Sequence, residues 1–356
     1  SLVALQSLAR HHRKQLSATF IGITGSNGKT TTKELFHRVL SKKFKTAATA
    51  GNLNNHIGVP LTILSLPANT EMAIIEMGAN HQGEIAILCD IAMPEYGLIT
   101  NIGKAHLEGF GGFEGVIRAK TELYAFIRKT HGKIFINGDN DLLTGKAQKT
   151  EKIVYGGNPR FFSSGKLTKS FPYVKAEIKS DSEKIQIDSK LTGSYNFENI
   201  LAAACAGFYF EIEAYKIKEA IESYVPDNNR SQVIQTPLNL VILDAYNANP
   251  TSMYAAIFNF LESGYRDKVV ILGEMLELGE DSANEHQNLI HYLKGQPLDE
   301  IYLIGRAFAD IVPAGATHFE LAEKCVDYFR SKKIKGKTIL VKGSRKNRLE
   351  QLMPYL

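Results

Sequence analysis

Apolar positions along the chain fall into two successive series of the same kind. Short apolar runs, each ending in glycine, asparagine or a charged residue, alternate with stretches of helical periodicity. Phe20, Ile21 and Ile23 lead into Thr24-Gly25, predicting a buried parallel strand that enters a glycine turn, and a helix then opens through Thr31, Lys33, Leu35 and Phe36. Further strands are predicted at 46–49, 72–76, 96–102 and 133–137, with a helix over 113–128 between the last two. From 152 to 191 the pattern changes to short alternating stretches, such as 173–178 and 184–187, between Gly, Ser, Pro and Asp turns. That predicts a small antiparallel sheet appended to the parallel one. An alanine-rich helix follows through Ala206, with Asn196 near its cap, and then a helix over 215–224. Pro226-Asp227-Asn228-Asn229 reads as a linker, after which strands at 240–245, 268–273, 300–305 and 338–342 are each expected to be followed by a helix.

The fold class is therefore α/β. A phosphate-loop domain with a parallel sheet and a small antiparallel subsheet (1–227) precedes a Rossmann-like, doubly wound domain (228–356). A chain of 356 residues exceeds what one core usually serves, which agrees with two domains, and no internal repeat is visible. The chain opens on Ser1 with a helix over 2–13 that begins abruptly, so a segment is expected to precede it.

The chemistry concentrates at the predicted strand ends. The strand, the glycine turn of Gly25 and Gly28 and the helix N-terminus aim backbone N–H groups and the positive helix end at one point, which is a phosphate site. There Lys29 would neutralise outer phosphates and the Thr30 hydroxyl would hold Mg²⁺. The spelling departs from the strict phosphate-loop pattern, whose first glycine falls here on Ile23. Glu76 closes a buried strand where such sheets bind ligands, which suits a Mg²⁺ ligand; the alternative is an acid capping the helix that starts near Gly83. The loop from Gly51 to Pro60 carries three asparagines that read equally as ligands or as turn formers. His106 lies just past a third strand end. Lys120, by spacing alone, is an ordinary helical lysine.

Composition narrows the picture. An apolar content of 44% with 22% charged residues is ordinary for a globular protein, and no run reaches the length of a membrane span. The net charge of +5 suits small polyanionic substrates but is too weak and dispersed for nucleic acid. Cys89, Cys205 and Cys325 stand far apart in apolar contexts and read as core residues of a reducing, cytoplasmic compartment.

Eight segments in order carry a resemblance that covers nearly the whole chain. They are TGSNGKTTTKE (24–34), GNLNNHIGVP (51–60), EMGANHQGEI (76–85), TNIGKAHLEGFG (100–111), AKTEL (119–123), DAYNANPTSM (244–253), LGEMLELG (272–279) and LVKGSR (340–345). The chain resembles the Mur ligases, ATP-dependent amide-forming enzymes of peptidoglycan precursor synthesis. TTTKE and DAYNANP lean toward the member that joins D-alanyl-D-alanine to UDP-MurNAc-tripeptide. The resemblance implies ATP and two Mg²⁺ ions, with Gly25, Ser26, Asn27, Gly28, Lys29, Thr30 and Thr31 at the phosphates. Thr30, Glu76 and His106 would serve the metals, with Lys120 as a carbamylated lysine beside them. Asn196, Arg230, Asp244, Tyr246 and Asn249 match positions around the nucleotide. Asn54 and Asn55 match substrate positions, and Lys342, Ser344 and Arg345 the loop near the incoming dipeptide. Two positions depart: Tyr195 stands where the family commonly has His, and Asn229 where it has Gly. The resemblance further implies a monomer and an additional amino-terminal domain that binds the UDP-muramoyl part. Rival expectations are a sister ligase or folylpolyglutamate-type synthetase, a nucleotide-hydrolysing regulatory module, or an ATP-binding fragment inactive alone.

Overall fold

The computed structural model describes residues 1–181 and 183–356 and contains two sheets. The first has nine strands: β1 (Thr19–Thr24), β2 (Thr46–Ala48), β3 (Met72–Glu76), β4 (Tyr96–Ile99), β5 (Lys133–Asn137), β6 (Glu151–Gly156), β7 (Ser163–Lys169), β8 (Lys175–Ser180) and β9 (Glu183–Asp188). Their spatial order is β2-β3-β1-β4-β5-β6-β7-β8-β9. Every residue of β3 and all but the first of β1 are buried, as strands covered by helices on both faces require. Because β1 lies between β3 and β4, the chain reverses its direction of winding there and leaves a crevice beyond its carboxyl end. The loop from Gly25 to Gly28, Glu76 and Thr100 all open onto that edge.

The helix Lys29–Leu40 buries Leu35, Phe36, Val39 and Leu40 and packs on the helix Asn196–Tyr209, whose run of alanines permits close approach. At the opposite end of the sheet, the helix Leu2–Gln15 is fastened by Arg13. Its guanidinium donates to the Ala92 carbonyl at 2.8 Å, pairs with Glu95 at 2.6 Å and stacks 3.7 Å over Phe20.

The second sheet comprises β10 (Gln232–Gln235), β11 (Leu240–Asp244), β12 (Lys268–Gly273), β13 (Glu300–Ile304), β14 (Ala316–Phe319) and β15 (Thr338–Lys342), ordered β10-β11-β15-β12-β13-β14. The strands from β11 to β15 pair in parallel, so Asp244, Gly273 and Lys342 end on one edge. Apolar side chains of both units belong to one continuous core: Phe110 and Leu107 of the first with Met275, Leu278 and Met253 of the second.

Three sequence expectations need correction. Residues 152–156 belong to β6, which pairs with β5 in parallel and extends the main sheet; only β7-β8-β9 pair antiparallel, in continuity with it. Strands β10 and β14 were not anticipated: both are short edge strands without a fully buried run, so they carry no apolar signal. Nor does a helix follow every strand of the second sheet. After β15 the chain makes 3₁₀ turns at Arg345–Asn347 and Leu349–Tyr355, the latter containing Pro354, which cannot sustain an α-helix. The cysteines are buried in helices and free, with their thiols pushed up by burial. Among the described residues, no helix is long and apolar enough to cross a membrane.

Candidate active site

The loop after β1 is shaped by two glycines. Gly25 has φ +145°, and a Cβ there would come within 1.9 Å of Thr100 Oγ1; Gly28 has φ +80°, and a Cβ there would meet Asn199 Oδ1 at 2.7 Å. Neighbouring side chains hold the loop open. Thr100 Oγ1 donates to the Asn27 carbonyl (2.6 Å), the Asn27 N–H to Asn101 Oδ1 (3.0 Å), and Ser26 Oγ exchanges bonds with both backbone groups of Gly103. Thr30 and Thr31 occupy the first helical turn, both buried. Lys29 curls over the loop, its Nζ donating to the carbonyls of Gly25 (2.7 Å) and Ser26 (3.3 Å). Desolvation lowers its pKa to about 8, partly opposed by Glu76 and reinforced by Arg230. A cation held poorly solvated and bonded only to carbonyls is poised to exchange them for an anion.

Glu76 is 1% exposed at the end of β3. Its Oε1 accepts from the Thr30 hydroxyl (3.3 Å) and from Asn54 Nδ2 (2.8 Å), while Oε2 has no partner. The carboxylate is therefore no helix cap. The loop of asparagines divides: Asn54 turns its amide into the site, whereas Asn55 Oδ1 accepts the N–H groups of Ile57 and Gly58 and shapes the entry to the helix Gly58–Leu64. An unshared buried carboxylate oxygen beside a hydroxyl fits a hard divalent cation. Among the described residues no three His, Cys, Asp or Glu side chains cluster to hold a metal, so the remaining ligands of such an ion would be phosphate oxygens or water.

Lys120 lies on the inner face of the helix Phe113–Lys129 and is 1% exposed. Its Nζ sits 5.2 Å from the Phe110 ring centroid and, among the described residues, pairs with no carboxylate. Burial, then the charge of Lys29, brings its pKa down to about 7. His106, at φ +52°, turns toward the second unit: Nδ1 lies 2.5 Å from Glu277 Oε2, which lowers the Glu277 pKa, and the ring is beyond ion-pair distance of Glu76. The structure thus gathers Thr30, Glu76 and Asn54 in direct contact, sets Lys29 on the adjoining loop where it feels the charge of Glu76, and places His106 against an acid that the sequence did not single out.

The second unit supplies the facing wall. Asn249 Nδ2 donates to Asn27 Oδ1 at 2.8 Å while capping the helix Pro250–Glu262, and Lys104 pairs with the buried Glu285 at 2.6 Å. Asp244 and Lys342, paired in register on β11 and β15, form a part-buried ion pair of 2.5 Å, with the lysine fully enclosed. Asp244 also accepts the Ser231 N–H, and Ser231 Oγ meets the Tyr195 hydroxyl at 2.8 Å, so the tyrosine reaches across to the second unit. Asn229 has φ +57°, a conformation glycine adopts freely and asparagine tolerates. Arg230 lies 3.6 Å and Arg345 4.9 Å from the Tyr246 ring centroid. Ser344 Oγ accepts from the Leu276 N–H. Asn196 does not face open space: it accepts from Asn199, which accepts from Thr32 on the phosphate-loop helix. Asn199 was legible only as an amide three residues after Asn196 on one helix face.

The family model for the Mur ligase middle domain matches residues 23–207, and that for the Mur ligase, glutamate ligase domain matches 229–347. The UDP-N-acetylmuramoyl-tripeptide–D-alanyl-D-alanine ligase of Bacillus subtilis is 36% identical over 369 residues, covering 100% of this chain and 79% of its own length. MurF from Acinetobacter baumannii superposes with a TM-score of 0.90 at 31% identity, covering 99% of this chain and 80% of that one. MurF ligase from Thermotoga maritima, solved in complex with ADP, gives 0.87 at 28% identity, covering 99% and 83%. The two family models and the shared fold extend over nearly the whole chain, and the chain belongs to the Mur ligase family.

Proposed function

We propose that this chain joins D-alanyl-D-alanine to UDP-MurNAc-tripeptide at the expense of ATP. The observation that carries the reading is the meeting, at one sheet edge, of the Lys29 loop, the half-shared Glu76 carboxylate and a second unit docked by Asn249 on Asn27. In the proposed reaction a terminal carboxylate oxygen of the tripeptide attacks the γ-phosphorus and the bond to ADP breaks. The dipeptide nitrogen then attacks the acyl carbon, loses a proton, and inorganic phosphate leaves. Transfer between anions needs alignment and charge neutralisation more than a protein nucleophile, so Lys29 and the loop N–H groups cradle the phosphates. Thr30 and Glu76 would hold Mg²⁺, which neutralises charge on the transferring group; His106 and carbamylated Lys120 would serve a second ion. The neutral Lys120 nitrogen attacks CO₂, forming the N–C bond and releasing a proton. Arg230, Asp244, Tyr246 and Asn249 would border the nucleotide, with Asn196 acting only from behind through Asn199 and Thr32, and Lys342, Ser344 and Arg345 would border the amine. Closure of two units excludes water from the acyl phosphate. The division between them falls at 227/228, and the enzyme acts as a cytoplasmic monomer without nucleic-acid or membrane partners. Hydroxylamine should trap an acyl hydroxamate when ATP and tripeptide are supplied without amine; ADP formed with no trappable acyl group would contradict the mechanism.

Two consequences follow from the charges. Bound phosphates favour the ammonium form of Lys29, whose free-state pKa is about 8. Nucleotide binding therefore takes up a proton near pH 8, and affinity falls as pH rises above that value, by up to about tenfold per unit. Calorimetry in buffers of different ionisation enthalpy reads this directly; pH-independent binding from 7 to 9.5 would refute it. For Glu76→Gln, removing a buried, half-satisfied carboxylate raises the melting temperature of the protein in chelator. The change is worth roughly 1–3 kcal/mol. The extra stabilisation that Mg-ADP gives the wild type should shrink in the same variant. A lower melting temperature with the Mg-ADP response intact would take Glu76 out of the site.

A further inference from the structure

We propose that Tyr246 is a positioning residue that couples the phosphate side of the reaction centre to the amine side, by holding Arg230 and Arg345 on one aromatic ring. The inference rests on the ligase reading above, because it takes Arg345 to stand on the amine side. The two guanidiniums lie 3.6 and 4.9 Å from the ring centroid. Among the described residues neither forms an ion pair, and Arg230 Nε is buried without a partner. Each guanidinium therefore depends on the ring for orientation to an unusual degree.

The surrounding backbone fixes the ring. The Tyr246 N–H donates to the Asn229 carbonyl at 3.1 Å, immediately before Arg230. Asp244, two residues before the ring, accepts the Ser231 N–H on the other side of Arg230 and pairs with Lys342, which begins the loop leading to Arg345. The turn bearing Arg230, the end of β11 and the loop after β15 are thereby one block, with the ring as the contact between Arg230 and Arg345. Arg230 lies close enough to the phosphate loop for its charge to be felt at Lys29. A phosphate drawing on Arg230 would thus set the ring, and through it Arg345.

The test is a double-mutant cycle read on nucleotide affinity without any amine. Calorimetry with Mg-ADP should show that Arg345→Ala weakens binding about three- to tenfold when Tyr246 is present and has no further effect in Tyr246→Leu. Tyr246→Phe, which keeps the ring, should keep that coupling. In a second arm, Arg230→Ala should raise the KM for the dipeptide more in the Tyr246 protein than in Tyr246→Leu. Thermal melting identifies any variant that fails to fold, and Tyr246→Met then replaces Tyr246→Leu. Equal effects of Arg345→Ala in both backgrounds would overturn the proposal, as would loss of coupling in Tyr246→Phe, which would assign the role to the hydroxyl. Coupling in the nucleotide arm with turnover indifferent to D-alanyl-D-alanine would leave Tyr246 in place and remove the substrate reading.

Discussion

Lys29→Ala lowers turnover by about a hundred- to a thousandfold or more, the loss expected when a cation aimed at developing phosphate charge is removed. The melting temperature without nucleotide should not fall, because the ammonium is held desolvated and bonded only to the Gly25 and Ser26 carbonyls. That pairing of results separates a chemical role from a structural one. Lys29→Arg should rescue little: a planar fork cannot occupy the position of a point charge enclosed by the loop. Near-normal turnover in Lys29→Ala, measured as ADP formation, would remove the phosphate-loop assignment altogether.

Lys120→Ala should be nearly as inactive and, unlike Lys29→Ala, partly rescued by added short-chain carboxylates. The account requires an anion where the chain places an amine. Its pKa of about 7 leaves much of the nitrogen neutral and nucleophilic near neutrality, and acidification protonates it and opposes the carbamate. Activity that depends on Lys120 therefore falls as pH drops below about 7, and ¹³C-bicarbonate should give a carbamate resonance that Lys120→Ala lacks. Full activity in the alanine variant, or rescue absent while the fold is intact, would take Lys120 out of the metal site.

What the sequence disclosed follows from where physics leaves a local mark. The loop after β1 needs glycines at Gly25 and Gly28 because Thr100 and Asn199 crowd their Cβ positions, so the requirement is written in the sequence. Glu76 was legible because a carboxylate that closes an otherwise apolar strand is unusual. Lys120 was reached only through the family resemblance and not by spacing, although it shares the helical stripe of Val116, Ile117, Leu123, Tyr124 and Ile127, all buried. A lysine on an apolar stripe was the available signal. The partners from the second unit left none: Asn249 meets Asn27 across 222 residues and Glu285 meets Lys104 across 181, and nothing local ties such pairs together. The edge strands β10 and β14 escaped for a different reason, since half-buried strands lack a consistent apolar pattern.

The most direct measurement is inorganic phosphate release with Mg-ATP, UDP-MurNAc-tripeptide and D-alanyl-D-alanine, omitting each in turn and replacing the dipeptide by glutamate or single D-amino acids. The account predicts sustained release only when tripeptide and D-alanyl-D-alanine are both present. Release indifferent to the dipeptide, or restored by glutamate in its place, would contradict the assigned substrates, and release from ATP alone would contradict a ligase.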